Sequence, residues 1–118
     1  AQDLKAADSN GLSDPFVIIN TKSGSTPKDK TRTKIIPKTL NPTWNEVFTI
    51  ILKDRKDIIV LDCYDDDLIG KDFLGKCELD MSMFENDTAT KLTLPLTEQG
   101  MIEVSVTLQL SDMELSKL

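Results

Sequence analysis

Two groups of aspartates carry the chemistry that this sequence suggests first. Asp8 and Asp14 lie six residues apart, around Ser9-Asn10-Gly11-Leu12-Ser13. Asp65, Asp66, Asp67 and Asp72 surround Leu68-Ile69-Gly70-Lys71. Both groups fall between stretches that read as strands, which places the carboxylates on loops. Carboxylates crowded at loop ends repel one another unless a cation lies between them. Calcium accepts about six to eight oxygens in irregular geometry, so two facing loops can cage it. The plainer reading is that turns are rich in Asp for local hydrogen bonding. An enzyme reading also exists, because Asp65 and Asp67 form an Asp-x-Asp pair like that of glycosyltransferases. No nucleotide-binding framework accompanies that pair.

Composition removes much other chemistry. The chain has no histidine, which excludes Ser-His-Asp and Cys-His catalysis and histidine-ligated zinc. Its two cysteines, Cys63 and Cys77, cannot build a structural zinc site alone. Strand-like residues flank both, so buried free thiols are expected rather than a disulfide, which leans towards the cytosol. The net charge of −6 and a pI near 4.6 speak against a nucleic-acid partner. Asp and Glu total 20, and such oxygen-rich composition suits hard cations. Asn86-Asp87-Thr88 is a glycosylation sequon, a short match that arises by chance.

The elements that must hold these loops are strands. Ile102, Val104, Val106, Leu108 and Leu110 alternate with Met101, Glu103, Ser105, Thr107 and Gln109, the pattern of a half-buried strand. Trp44, Phe48, Ile50 and Leu52 form a second alternating set, interrupted at Glu46, and Leu92, Leu94 and Leu96 a third. Residues 15–20, 30–36, 58–64 and 73–79 also read as strands, separated by turn signals at Ser23-Gly24-Ser25, Asn41-Pro42, Gly70 and Gly100. Seven short strands predict an antiparallel β-sandwich. One short helix is expected near Met81–Asn86. The length of 118 residues fits one domain with one core. The longest aliphatic run, Ile58 to Leu61, is too short to span a bilayer. The chain opens on Ala1 without a signal segment and is expected to be excised from a longer parent.

Three segments carry a resemblance. Gly11-Leu12-Ser13-Asp14-Pro15-Phe16-Val17 resembles the "SDPYV" segment of C2 domains, the membrane-targeting modules of protein kinase C and synaptotagmins. Lys38-Thr39-Leu40-Asn41-Pro42-Thr43-Trp44-Asn45-Glu46-Val47-Phe48 is similar to their "TLNPxWNExF" segment. Asp62-Cys63-Tyr64-Asp65-Asp66-Asp67 with Asp72-Phe73-Leu74-Gly75 resembles their third calcium loop. The resemblance implies an all-β, eight-stranded Greek-key β-sandwich of the second C2 topology, over residues 1–110, with a tail at 111–118. It implies calcium ligands at Asp8 and Asp14 from loop one, and at Asp65, Asp67 and Asp72 from loop three. The backbone carbonyls of Ala7 and Asp66 fall where the family adds main-chain oxygens. Two calcium ions are implied; the seven-residue spacing from Asp65 to Asp72, one shorter than the commonest in the family, leaves a third open.

A family strand of pattern "LxVxIxxA" should precede Ala1-Gln2-Asp3-Leu4. Its expected place is upstream in the parent. Otherwise the tail Ser111–Leu118, or a strand-completing contact with another chain, fills the gap that an unpaired sheet would leave.

Lys28, Lys30, Arg32 and Lys34 are alternate residues, so a strand would project them from one face roughly 7 Å apart. Taken alone, such a run reads first as a solvated face. The resemblance places Arg32 and Lys34 in the cluster that binds phosphoinositide headgroups, with Lys30 beside them. Leu68 and Ile69 stand between calcium ligands, where a turn should be polar. Their insertion between lipid headgroups is expected, with Leu12 joining from loop one; folding back onto the core is the alternative. The function implied is calcium-dependent binding of anionic phospholipid, phosphatidylserine and with it phosphoinositides, by a non-enzymatic cytoplasmic module that becomes peripheral to the membrane as calcium rises. The alternatives are a calcium-independent protein-binding C2 domain and an extracellular adhesion domain.

Overall fold

The period-two pattern becomes two antiparallel sheets. The computed structural model describes residues 1–109. Strands β1 (Pro15–Thr21), β2 (Ile58–Asp67) and β3 (Gly70–Asp80) form one sheet in that order. Strands β4 (Ala89–Pro95) and β5 (Met101–Thr107) form the other.

Strand β2 links the core to the aspartates. Its odd positions turn inwards, burying Leu61, Cys63 and Asp65. Side chains alternate across a strand, so the rule that buries two apolar residues also buries a carboxylate at the strand's end. Val17 and Ile19 of β1 and Cys77 and Leu79 of β3 join this face, and Ile102 of β5, with Leu96 and Leu108 just past the ends of β4 and β5, closes the core from the other side. Cys63 and Cys77 are free, buried thiols. Burial comes first among the causes that push Cys63 up to about 12 and Cys77 up to about 11, so both stay protonated and inert at neutral pH.

A bulge decides which residue faces Asp65. Gly75 pairs with Cys63, but the next rung joins Tyr64 to Phe73, leaving Leu74 as the extra residue. The following rung is therefore Asp65 with Asp72; an unbroken ladder would put Phe73 there. Gly75 has φ +133°, and a Cβ on it would lie 3.0 Å from Leu96 Cβ. The sheets approach here in a way that requires glycine.

Two of the seven expected strands form no ladder. Residues 30–36 touch β1 only through the Ile18–Arg32 bridge and nearby bonds, such as Ile19 N–H to Thr31 O at 2.9 Å. Positive φ values at Asp29 and Lys38 bracket this segment and break extended geometry on both sides. Residues 44–52 keep the expected alternation, half-buried at even and exposed at odd positions. Yet positive φ at Asn45 disturbs the start, and among the described residues Lys28 N–H to Thr49 O at 2.8 Å is the segment's one backbone–backbone tie. The last strand ends at Thr107, and Leu110 and the expected tail lie outside the described residues. The helix expected near Met81–Asn86 is a single 3₁₀ turn, Met81–Met83, capped by Asp80. No helix among the described residues is long and apolar enough to cross a membrane.

Candidate metal centre

Loop one is folded by its own polar groups. The Ser13 hydroxyl, fully buried, donates to Lys5 O at 2.8 Å and accepts from Ala7 N–H at 3.1 Å. Asp8 N–H donates to Leu12 O at 2.9 Å, and Gly11 N–H to Asp8 O at 3.0 Å. Gly11 has φ +81°, the left-handed turn position that glycine adopts freely. These bonds turn the chain back so that Asp8 meets Asp14.

Loop three is stitched to loop one. Asp14 N–H donates to Asp65 Oδ1 at 2.6 Å, and Asp66 N–H donates to Asp14 O at 3.0 Å. Lys38 N–H donates to Asp14 Oδ1 at 2.6 Å. Carboxylate oxygens of Asp8, Asp14 and Asp65 thereby lie within 4.8 Å of one another. Asp65 Oδ2 is buried with no hydrogen-bond partner among the described residues. Burial, then the neighbouring Asp8 carboxyl and the Asp14 charge, push Asp65 up to about 6 against the pull of the Asp14 N–H.

Three of the five expected carboxylates are thus gathered. Asp67 and Asp72 are exposed on the β2–β3 hairpin, outside that group. Asp67 accepts from Leu68 N–H at 2.6 Å, while Asp72 stands opposite Asp65 in register. Ala7 is half-buried and Asp66 exposed. Leu68 and Ile69 form the hairpin tip and are fully exposed, whereas Leu12 is half-buried.

The basic residues lie on an exposed surface, and two of them, Lys30 and Arg32, already have side-chain partners. Lys30 Nζ pairs with Glu46 Oε1 at 2.6 Å and lies 4.9 Å from the centre of the Phe48 ring. Arg32 stacks over Phe16 at 5.5 Å. The second Glu46 oxygen accepts from Lys34 N–H at 2.8 Å. Burial alone would raise the Glu46 carboxyl, but the Lys30 and Lys34 contacts outweigh it and hold it below its ordinary value. Alternation alone does not reveal Ser13 or Glu46. Both stand in the segments that resemble C2 motifs, Ser13 before Asp14 and Glu46 between Asn45 and Val47, but neither segment names the Lys5, Ala7, Lys30 or Lys34 partner that the fold supplies.

The C2 domain family model matches residues 1–96. This chain belongs to the C2 family. Among curated proteins, mouse "Multiple C2 and transmembrane domain-containing protein 1" is 42% identical over 114 residues, which is 93% of this chain and 11% of that protein. The chain spans about a tenth of the length of that mouse protein and of its human and rat counterparts. Among solved structures, a C2 domain of plant Extended Synaptotagmin 1 superposes with a TM-score of 0.75 at 26% identity, covering 89% of this chain and 84% of that one. The calcium-bound pair of C2 domains from Extended-Synaptotagmin 2 gives 0.72 at 25% identity, covering 88% and 40%. The C2 fold explains why the aspartates gather where they do, since β1, β2 and the loop before β1 meet at one end of the sandwich.

Proposed function

We propose that this C2 domain binds calcium between loops one and three and docks on anionic phospholipid as a consequence. The observation that carries the reading is the buried Asp65 Oδ2, unpartnered among the described residues, beside the carboxylates of Asp8 and Asp14. Buried polar atoms are normally satisfied, and three like charges this close favour a cation among them. A donor set made only of oxygen suits calcium. Asp8, Asp14 and Asp65 would hold the first ion. Asp67 and Asp72, with the carbonyls of Ala7 and Asp66, would complete the set for a second. A solved relative at 25% identity is described as calcium-bound, which supports the same reading.

Bound calcium would reverse the sign of the acidic end and offer open coordination positions to lipid phosphate or carboxylate. The chain's own residues do the rest. Ser13 and Gly11 hold Asp8 near Asp14, and Lys38 N–H holds the Asp14 side chain. Leu68 and Ile69 enter the headgroup layer, and Arg32 and Lys34 attract anionic lipid, about 1 kcal/mol per basic residue near the surface. The domain acts as a targeting module, peripheral to the membrane, and not as an enzyme. Calcium titration of the lipid-free chain by calorimetry tests the first step. Heat from binding, with a melting temperature that climbs with calcium, is the expected result; a flat trace overturns it.

A further inference from the structure

Loop one carries a reactive pair that the metal centre does not use. Asn10 and Gly11 are adjacent, and both are exposed. Asparagine is a thermolabile residue, because the next backbone nitrogen can attack its carboxamide carbon. The attack closes a five-membered ring, which a side chain on the following residue would crowd. Here that residue is glycine, and a Cβ built on it would meet nothing within 4 Å. Leu12 N–H donates to Asn10 Oδ1 at 2.9 Å. This local turn folds the carboxamide back over Gly11 and draws electrons from its carbon. Among the described residues Gly11 N–H has one tie, to Asp8 O at 3.0 Å. That tie lies in an exposed turn, which opens more readily than a buried ladder.

The other asparagines are worse placed. Asn41 precedes Pro42, which has no N–H. Asn20 is held in strand β1 opposite Val60. Asn45 and Asn86 precede Glu46 and Asp87, whose side chains would crowd the ring.

We propose that Asn10 is a spontaneous deamidation site whose isoaspartyl product unlocks loop one. The Gly11 nitrogen loses its proton to solvent and bonds to Asn10 Cγ. The bond from Cγ to the side-chain nitrogen breaks, and ammonia leaves with a proton from solvent. Water then opens the cyclic imide. Opening at Cγ leaves an aspartate; opening at the main-chain carbonyl leaves an isoaspartate, whose backbone runs through the side chain and gains a carbon. In sum, water enters and ammonia leaves. The added carbon falls inside the turn closed by Asp8 N–H to Leu12 O, at 2.9 Å, and by the Gly11 tie to Asp8 O. That turn holds Asp8 beside Asp14, so its loss disperses the carboxylates. Weaker calcium binding follows, a step that rests on the function proposed above.

The test incubates the full chain without calcium at mildly basic pH. Peptide mapping by mass spectrometry, with fragmentation that separates isoaspartate from aspartate, reads the site. The amide-to-acid mass gain should appear at Asn10 several-fold faster than at Asn20, Asn45 or Asn86, with isoaspartate among the products. Amide exchange of the aged, calcium-free chain should speed up several-fold at Asp8 and stay unchanged in the β1–β2 ladder. Asn10→Ser removes the carboxamide but keeps an oxygen for Leu12 N–H, and should show neither change. Conversion at Asn10 no faster than at the other sites overturns the proposal. So does isoaspartate without faster exchange at Asp8, or the same faster exchange in aged Asn10→Ser. Calorimetry should show the aged chain binding calcium several-fold more weakly than the fresh chain, and equal affinity overturns that last step. A fresh chain that binds no calcium overturns the calcium reading alone, since the mass and exchange readouts still decide the modification site.

Discussion

At the acidic end, three carboxylates converge, and a buried oxygen of Asp65 lacks a partner among the described residues. Along the basic surface, Lys30 rests on Glu46 and Phe48, and Arg32 on Phe16. One region holds charge that its own fold leaves uncompensated; in the other, two of the cations, Lys30 and Arg32, are already engaged. The strong term in membrane binding should therefore come from the acidic end. The basic residues should add a smaller, salt-screened term, reduced further where a glutamate has claimed the cation.

The largest expected effect comes from removing the buried charge. Asp65→Asn should weaken calcium binding by about a hundredfold or more, because it deletes the central carboxylate of an all-oxygen site. Calorimetry reads this directly. The same variant has a signature without calcium. Asp65 is held at about 6 in the fold, above its ordinary value, so the native state holds its proton more tightly than the unfolded chain does. The Asp65 contribution to calcium-free stability should then be fully present below about pH 4 and be lost as pH rises through about 6, by up to roughly 2 kcal/mol. Asp65→Asn should flatten that fall in denaturant titrations, and an unchanged pH profile would remove the account of a buried carboxylate, crowded by Asp8 and Asp14, at this end.

Next in size is the apolar tip. Leu68→Ser with Ile69→Ser should lower affinity for phosphatidylserine vesicles by more than about tenfold, since each buried aliphatic side chain contributes roughly 1.5–3 kcal/mol. Apolar burial is not screened, so the salt dependence should hardly change. Arg32→Ala with Lys34→Ala should do the reverse, costing a few-fold at low salt and flattening the salt dependence. If both pairs lose affinity with the same salt profile, the two regions are not distinct. The smallest effect tests the compensation itself. Glu46→Gln keeps the acceptor for Lys34 N–H but frees the Lys30 charge, and should raise vesicle affinity about two- to threefold at low salt. Unchanged binding would mean that Lys30 faces no lipid.

Much of this contrast is legible in the sequence. Asp8, Asp14 and Asp65 can be read because each closes a strand or turn whose pattern is local. The inward position of Asp65 follows from the same alternation that buries Leu61 and Cys63. Residues 44–52 alternate in burial as a strand would, while of 30–36 only Thr33 is buried; a ladder also needs a neighbour in register, which alternation does not encode. The Leu74 bulge is hidden for the same reason, although it decides that Asp72 faces Asp65. The pairing of Lys30 with Glu46 spans 16 residues and depends on how two irregular segments lie together. Leu12 is expected at the exposed tip, but the turn closed by Ser13 and Gly11 leaves it half-buried.

The central claim is that calcium at the acidic end switches on binding to anionic lipid. Co-sedimentation of the full chain with vesicles tests it most directly, using phosphatidylserine-containing and pure phosphatidylcholine vesicles, with calcium and with chelator. The account predicts that the domain pellets with phosphatidylserine vesicles in calcium, and stays in the supernatant with chelator or with phosphatidylcholine alone. Equal binding to phosphatidylserine vesicles with and without calcium would contradict it.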